Sequence, residues 1–258
     1  MGEPKQIDDL VVLGRAAPEP IQDGRETVCL GGYSPTEGWI RLYPTKRRMT
    51  ELQRWNIVSV PVEHEPSHDS RPESYKIAGS QEDWNRLHEK VEQVGHLSKP
   101  EPMKLVDDLA GDCTASLNEE QQSLGMVEPK EIKSSYLEPT DGPGPQKDLS
   151  GQVRKGKNDY ENKLYVEYRC DGCEQKTPHE QHTIEWGIYR YWDKNENKEG
   201  VKDALHLHND DYKKYFFVGN LNHRRRAYII ISIMRFKKKE MLQNGIPIQE
   251  QQSLSDFA

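Results

Sequence analysis

The sequence predicts an α+β fold in which a mostly antiparallel β N-terminal unit packs against a smaller C-terminal unit. Two observations carry this prediction. Short segments rich in β-forming residues, separated by turn signals, fill the N-terminal third. In the C-terminal third a paired-cysteine segment, a helical pattern and two strongly apolar segments follow one another. The predicted divisions are an N-terminal unit at 1–124, a polar Pro/Gly linker at 125–158, a C-terminal unit at 159–245 and a tail at 246–258.

The N-terminal elements are assigned from local pattern. Apolar segments at 10–14, 27–33, 39–43 and 56–62 predict four strands, and the turn at 34–38 gives the second and third the spacing of a hairpin. Apolar residues at helical spacing predict an amphipathic helix over Gln81–Val94 and a short helix over Met103–Leu109. The apolar signal then fades, and Pro and Gly over 125–158 predict a disordered linker.

The C-terminal elements are a strand, a helix and a hairpin. Lys163–Tyr168 alternates as a strand does. Thr177-Pro-His-Glu180 is the pattern of a capping box, so a helix is predicted over Thr177–Trp192 with Trp186, Tyr189 and Trp192 on its packing side. Two apolar strands at 215–218 and 227–233 are joined by a basic loop at 219–226, and the second needs cover on both faces.

Charge is distributed unevenly along the 258 residues. The net charge is −7, yet residues 1–150 hold 17 Lys and Arg against 27 Asp and Glu, while residues 151–258 hold 19 against 16. Nine Lys and Arg and no acid lie between Tyr212 and Lys239. An acidic body with a local basic stripe predicts a directed electrostatic surface rather than indiscriminate binding of polyanions.

The N terminus is polar, and no apolar stretch approaches the roughly 18 residues that a membrane span needs. We therefore expect a cytoplasmic protein with no membrane partner. In a reducing compartment a Cys-x2-Cys pair indicates metal binding or redox chemistry more often than a structural disulfide.

The cysteine and histidine residues predict a zinc site. Cys170 and Cys173 have the spacing of a metal knuckle, and His179 and His182 lie one helical turn apart in the predicted helix. Only five residues separate the two pairs, and so short a gap favours a site that only one of the two histidines reaches. The sequence leaves His206, His208 or Cys113 as replacements. The alternative is a reduced or redox-active cysteine pair near solvent-exposed histidines.

Three carboxylates are the candidate catalytic residues. Glu185 follows His182 by one predicted helical turn, where it would orient a water molecule, support a metal ligand or simply face solvent. Asp69 and Glu73 flank Arg71 in a dense polar segment that is either an active-site loop or a salt-bridged turn. The sequence does not decide whether the protein is an enzyme.

Cations interleaved with polar and aromatic residues predict a nucleic-acid surface, because guanidinium groups match phosphate oxygens and aromatic rings stack on bases. The alternative for the C-terminal basic loop is a solubilising role on an exposed hairpin. The predicted binding residues are Arg41, Tyr43, Arg47, Arg48 and Arg71 in the N-terminal unit and Asn222, His223, Arg224, Arg225, Arg226, Arg235, Lys237, Lys238 and Lys239 in the C-terminal unit.

Several motifs in order resemble a widespread prokaryotic family of uncharacterised proteins. They are Glu26-Thr-Val-Cys-Leu-Gly-Gly32, Trp39-Ile-Arg-Leu-Tyr-Pro44, Asp69-Ser-Arg-Pro-Glu-Ser74, Ser123-Leu-Gly125, the Cys/His segment ending in Glu185-Trp-Gly187, and Tyr215-Phe-Phe-Val-Gly-Asn220. The resemblance implies an association with mobile-element or antiviral DNA-defence genes and assigns no catalytic residue. It also implies that Cys170, Cys173 and His179 are the firmer metal ligands and leaves the fourth open.

These observations together predict a zinc-containing protein that binds DNA or RNA, with a role in genome defence. Two alternatives remain open from the sequence. One is a nucleic-acid-processing hydrolase, either a nuclease or a base-processing enzyme, that uses Glu185, Asp69 or Glu73. The other is a protein-interaction module of a multiprotein assembly whose partner proteins the sequence does not name.

Overall fold

The structure is a computed structural model, and it describes residues 4–20, 26–46, 52–67, 69–79, 81–111, 113–140, 146–147, 153–154, 160–171, 173 and 175–248. The strands are β1 (Lys5–Arg15), β2 (Glu19–Pro20), β3 (Glu26–Ser34), β4 (Gly38–Lys46), β5 (Asn56–Glu63), β6 (Ser74–Ile77), β7 (Glu92–His96), β8 (Ala110–Gly111), β9 (Leu124–Val127), β10 (Pro129–Pro139), β11 (Gln146–Lys147), β12 (Val153–Arg154), β13 (Asn162–Cys170), β14 (His179–His182), β15 (Tyr212–Leu221) and β16 (Arg224–Lys237). The helices are α1 (Glu101–Leu109), α2 (Thr114–Glu119), α3 (Trp186–Lys194), α4 (Val201–Ala204), α5 (Lys238–Gln243) and a 3-10 helix at Gln81–Lys90. The expectation of mixed helices and sheets with a mostly β N-terminal third is confirmed.

The N-terminal sheet closes on itself. Strands β1, β3, β4, β6 and β5 are neighbours in that order, and β5 pairs back onto β1. All of these pairings are antiparallel except that of β4 with β6. The ring encloses an aliphatic core drawn from alternate residues. Along β5, Val58, Val60 and Val62 are fully buried, while the residues between them are partly exposed, as the two-residue period of a strand requires.

The predicted C-terminal hairpin is present and longer than predicted. Strands β15 and β16 pair over most of their length and form a four-stranded sheet with β9 and β8. The hairpin is buried on both faces, as expected. Phe216 and Ile230 belong to a cluster that α3 and β13 cover, whereas Phe217 and Ile231 belong to a second cluster that β1 and α1 cover. Trp186, Tyr189 and Trp192 are buried in the first cluster, which confirms the predicted packing side of α3.

The β15–β16 hairpin contacts the closed sheet where the side chain of Phe217 packs against the backbone of Gly31. The ring of Phe217 stacks on Trp39 at 5.6 Å between centroids. A Cβ atom added at Gly31 of β3 would lie 2.5 Å from the Phe217 ring. Only glycine leaves room for this close approach, so Gly31 in the motif Cys29-Leu-Gly-Gly32 sets the distance between the two sheets.

The helix predicted over Thr177–Trp192 is wrong in its first half. His179–His182 forms strand β14, which pairs with β13 so that His179 is opposite Tyr168 and His182 is opposite Tyr165. The helix α3 begins only at Trp186. Pairing with the neighbouring strand β13 overrides the local capping-box pattern, since structural context outweighs propensity.

Two other local predictions also change. The segment predicted as an amphipathic helix over Gln81–Val94 is a 3-10 helix at Gln81–Lys90 followed by strand β7. The segment predicted as a disordered linker contains most of β9, all of β10, and the short pair β11 and β12. Strand β10 holds its place by pairing with β13 across its whole length. Residues 141–145, 148–152 and 155–158 of that linker and 249–258 of the tail lie outside the described residues.

In the described ranges, no helix combines the length and the apolar composition required to cross a lipid bilayer.

Candidate metal centre and polar cleft

Four metal-ligand side chains converge where β13 ends. The Nε2 atom of His179 lies 3.1 Å from the Sγ of Cys113 and 3.4 Å from the Sγ of Cys173, and the two sulfur atoms are 3.4 Å apart. The ligand atoms of Cys113, Cys170 and His179 all lie within 4.8 Å of one another. We call Cys113, Cys170, Cys173 and His179 the cysteine–histidine cluster. Ligands of one tetrahedral ion lie about 3.5–3.8 Å apart, which follows from bond lengths near 2.0–2.3 Å.

Secondary structure positions each member of this cluster. Cys170 is the last residue of β13, His179 is the first residue of β14, and Cys173 lies in the connection between these strands. Cys113 arrives from a distant part of the chain as the residue that caps α2, where its sulfur accepts the backbone N–H of Ala115 at 3.3 Å. A bound ion would therefore join the β13–β14 hairpin to the start of α2.

The surroundings favour neutral ligands until a metal displaces the protons. Burial raises the pKa of the Cys113 and Cys170 thiols, although the backbone N–H of Ala115 and that of Thr114, respectively, lower it in part. Burial lowers the pKa of His179, so its imidazole is neutral, which is the form that binds metals. The Thr114 hydroxyl lies 3.4 Å from the other ring nitrogen, Nδ1. The donor types and their convergence fit a metal ion.

The other histidines considered from the sequence lie outside the cysteine–histidine cluster. The ring of His182 lies 5.5 Å from that of Tyr165. Two residues three apart on a strand point to opposite faces, so the helical argument that placed both histidines together does not hold. His206 stacks on Tyr212, and His208 approaches the Ser135 hydroxyl at 2.8 Å. Of the replacements for a fourth ligand, Cys113 is the one that the structure brings to the cluster.

Glu185 ties two parts of the fold together. Its Oε1 accepts a hydrogen bond from Arg54 Nη2 at 2.6 Å, and its Oε2 accepts the backbone N–H of Ile233 at 2.6 Å. Arg54 donates in addition to the Ser232 hydroxyl and to the carbonyl of Ile233. The side chains of Glu185 and Arg54 are only 12% and 25% exposed. Both carboxylate oxygens are therefore engaged in holding the segment before β5 against β16.

Asp69, Arg71 and Glu73 belong to a polar network that includes the Asp69–Arg71 salt bridge. Arg71 donates to both oxygens of Asp69 and, through Nη1, to the carbonyl of Asn220 at 2.7 Å. Glu73 accepts the backbone N–H and the hydroxyl of Ser123 at 2.8 and 2.9 Å. The sequence motifs that contain these residues thus meet in space, and the two acids are held by an arginine and a serine.

The Asp69–Arg71 pair predicts a specific loss of stability in acid. Burial would raise the pKa of Asp69, but hydrogen bonds from the side chain and backbone of Arg71 outweigh it and lower the pKa from 3.8 to about 2. A carboxyl group whose pKa is lower in the folded than in the unfolded state stabilises the fold at pH values above its unfolded-state pKa. This contribution disappears as the pH falls through the folded-state pKa. We expect the melting temperatures of the wild type and of Asp69→Asn to converge between pH 4 and pH 2.

Thermal unfolding followed by circular dichroism across this range checks the prediction. Asp108→Asn is the matched control, because Asp108 is exposed on α1. The melting temperature of this variant should change with pH in parallel with that of the wild type. A constant gap between the wild type and Asp69→Asn down to pH 2 would show that Asp69 carries no depressed pKa.

A cleft of about 750 Å³ opens between the closed sheet and the β15–β16 hairpin. Its lining includes Arg41, Tyr43, Asp69 and Arg71 from the predicted sites, together with the hairpin turn at Asn222 and His223. Ile40 and Leu42 of β4 point into the core of the closed sheet. Because side chains alternate along a strand, Arg41 and Tyr43 point to the opposite side and line the cleft. Arg41 is only 3% exposed, while Tyr43 is 40% exposed.

The predicted basic stripe divides into two groups. The connection between β15 and β16 is the two-residue turn Asn222-His223, and Arg224–Arg226 already belong to β16. Arg235 and Lys237 lie at the opposite end of that strand, about 35 Å away at roughly 3.3 Å per residue, and Lys238 and Lys239 begin α5. We call residues 222–226 the arginine turn, and it borders the cleft. Arg47 and Arg48 lie outside the described residues.

Comparison with known proteins gives limited assignments. Residues 6–105 match the model of a domain of unknown function, DUF8758. No curated protein matches the chain. A solved structure described as a murine DNA binding protein bound with ds DNA is 10% identical, with 92% of this chain and 100% of that chain covered and a TM-score of 0.30. A TM-score of 0.30 is too low to indicate a shared fold, and nothing about this chain follows from it.

Proposed function

We propose that this protein is a zinc-stabilised nucleic-acid-binding protein that contacts phosphate groups through the arginine turn. The observation that carries the proposal is the placement of the exposed Arg224 and Arg226 on the β15–β16 hairpin, next to turn residues that line the cleft. The role in genome defence is part of the same proposal and is supported by the sequence resemblance. The hydrolase alternative gains no support from Glu185, Asp69 and Glu73, whose carboxylates are engaged in structural contacts.

The ligand set supports zinc as the metal. Three thiolates and one imidazole form a combination that structural zinc sites use, and thiolates discriminate against Mg²⁺ and Ca²⁺. Four protein ligands leave no position for a substrate or a reactive water molecule. The ion in this proposal is therefore structural, and it fixes the β13–β14 hairpin and the start of α2 rather than taking part in a reaction.

The arginine turn has two arginines that are available to a partner. Residues alternate along the start of β16, so Arg224 and Arg226 are exposed on one face. Arg225 between them is half-buried and donates to the Ser70 hydroxyl at 2.8 Å, with Asp69 at 4.0 Å. In the described part of the chain, Arg224 and Arg226 form no ion pair. Two guanidinium groups side by side on one face of a strand are suited to bind two phosphate groups of a nucleic-acid backbone.

Charge reversal at the arginine turn tests the proposal. We expect Arg224→Glu/Arg226→Glu to weaken the binding of a mixed-sequence oligonucleotide at least tenfold, because two cationic contacts become repulsive. The slope of log K against log salt should fall by about two. Fluorescence anisotropy at several salt concentrations, with single- and double-stranded DNA and RNA, measures both quantities.

The matched control is Lys237→Glu/Lys239→Glu, which makes the same change in charge at the opposite end of β16. Both of these lysines are exposed, and the affinity of this variant should remain within about threefold of the wild type. Equal losses in the two variants would indicate a diffuse charge effect without a site. An absence of oligonucleotide binding by the wild type, together with co-purification of an acidic protein that the first variant loses, would support the protein-interaction alternative.

A further inference from the structure

The cleft contains a buried cation, Arg41, that forms no direct ion pair in the described part of the chain. Arg41 donates through Nη1 to the hydroxyls of Ser74 and Ser123 and through Nη2 to the carbonyl of Ser123. These acceptors are neutral. Within the described residues Arg41 forms no ion pair, whereas the other two cations that line the cleft are paired, Arg71 with Asp69 and Lys76 with Glu65.

This arrangement favours an anionic ligand. Burial lowers the pKa of Arg41 to about 10, so its guanidinium remains charged at neutral pH. The carboxylates of Asp69 and Glu73 stabilise this charge without a hydrogen bond to it. An anion in direct contact would offset more of the cost of its burial. Both terminal nitrogens of Arg41 donate to neutral acceptors. A phosphate oxyanion would add a charge-assisted hydrogen bond to this guanidinium.

The remaining walls of the cleft suit a flat, largely apolar group. Ile184, Ile229 and Ile231 provide an aliphatic wall, and the half-exposed ring of Tyr43 lies at the mouth. Tyr43 and Arg41 are two residues apart on β4, so they face the same side with Cα atoms about 7 Å apart. This spacing places an aromatic surface next to the cationic group. A volume of about 750 Å³ is also in the range of small-molecule sites.

We propose that the cleft binds one nucleoside monophosphate, with its phosphate on Arg41 and its base against Tyr43 and the isoleucine wall. The ligand is either a free nucleotide or the phosphorylated terminal nucleotide of a strand, and both sources present the same chemistry. In the second case the inference rests on the proposed function, because the arginine turn would hold the rest of the strand. Inorganic phosphate would satisfy Arg41 but would leave the apolar wall and Tyr43 unused.

Calorimetric titration of the full-length protein tests this site. The probes are the four nucleoside 5′-monophosphates, inorganic phosphate, and single-stranded octanucleotides with a 5′-phosphate, a 3′-phosphate or no terminal phosphate. Tyr43→Ala is the main variant because Tyr43 lies at the surface, and loss of base stacking should weaken binding about tenfold. Arg41→Lys keeps the charge but loses the planar donor pair, and its folding is checked by its melting temperature.

The outcomes separate the two proposals. Binding of a mononucleotide that Tyr43→Ala weakens, and that Arg224→Glu/Arg226→Glu leaves unchanged, supports a free nucleotide. Preference for one phosphorylated end, abolished by Tyr43→Ala, supports a strand terminus. Strand binding that depends on neither the end nor Tyr43, or inorganic phosphate binding as tightly as every mononucleotide, overturns the inference and leaves the proposed function standing. If neither strands nor mononucleotides bind, both proposals fail.

Discussion

Replacing Cys113 with serine is expected to release the bound metal ion and lower the melting temperature by about 10 °C. In the proposed zinc site the variant removes one of four ligands. Metal binding to such a site contributes directly to the free energy of folding, so a loss of about 3 kcal/mol or more is expected. The prediction depends on the structure, because Cys113 lies 57 residues before Cys170 and joins it only in the folded chain. Elemental analysis and thermal unfolding of the purified, tag-free protein measure both effects.

The chain supplies two matched controls for this result. Cys29→Ser changes a cysteine that lines the cleft rather than the cysteine–histidine cluster, and it should retain about one metal ion per chain. His182→Ala should also retain the ion, whereas His179→Ala should lose it. A chelator should bring the wild type to the melting temperature of Cys113→Ser. Full metal content in Cys113→Ser, or metal loss in His182→Ala, would contradict the assigned ligand set.

Replacing Glu185 with glutamine is expected to destabilise the fold by about 2 kcal/mol. The change leaves Arg54 without its carboxylate partner and weakens the acceptor of the Ile233 backbone N–H. Removing one partner of a largely buried pair costs more than the pair contributes, because the remaining charge stays in a poorly solvated position. Denaturant unfolding of the wild type and the variant measures the difference.

Glu180→Gln is the control, because this substitution makes the same chemical change at the exposed residue of β14. Its free energy of unfolding should remain within about 0.5 kcal/mol of the wild type. The same experiment bears on the catalytic hypothesis for Glu185. A Glu185→Gln protein of unchanged stability would indicate that the carboxylate is not a structural tie and would return it to the candidate catalytic residues.

Local pattern was sufficient for much of the fold. The N-terminal strands and the apolar hairpin follow from β-forming residues between turn signals. Pairing over distance was out of reach, since β5 closes onto β1 and β10 pairs with β13 through contacts that no local window contains. His179–His182 shows a different limit, because pairing with the neighbouring strand β13 overrode a strong helix-start signal.

The candidate site was predictable where its residues are close in the sequence. Cys170 and Cys173 have a metal-ligand spacing, and His179 follows soon after. Cys113 has no such signal, and its role depends on the fold alone. Likewise Arg41 and Arg71 stood out as cations beside aromatic or acidic residues. Nothing in the sequence shows that Arg71 forms a salt bridge with Asp69 while Arg41 forms no direct ion pair among the described residues.

The contact between Phe217 and Gly31 has a consequence for synthesis on the ribosome. The closed sheet can complete its own aliphatic core from residues 5–96, but its outer face near Gly31 is covered only when residues 212–237 have been made. The nascent chain therefore carries an uncovered apolar face while most of its second half is still being translated, which is the type of species that chaperones engage. A fragment that ends before β15 should aggregate or bind a chaperone even if its closed sheet is correctly folded.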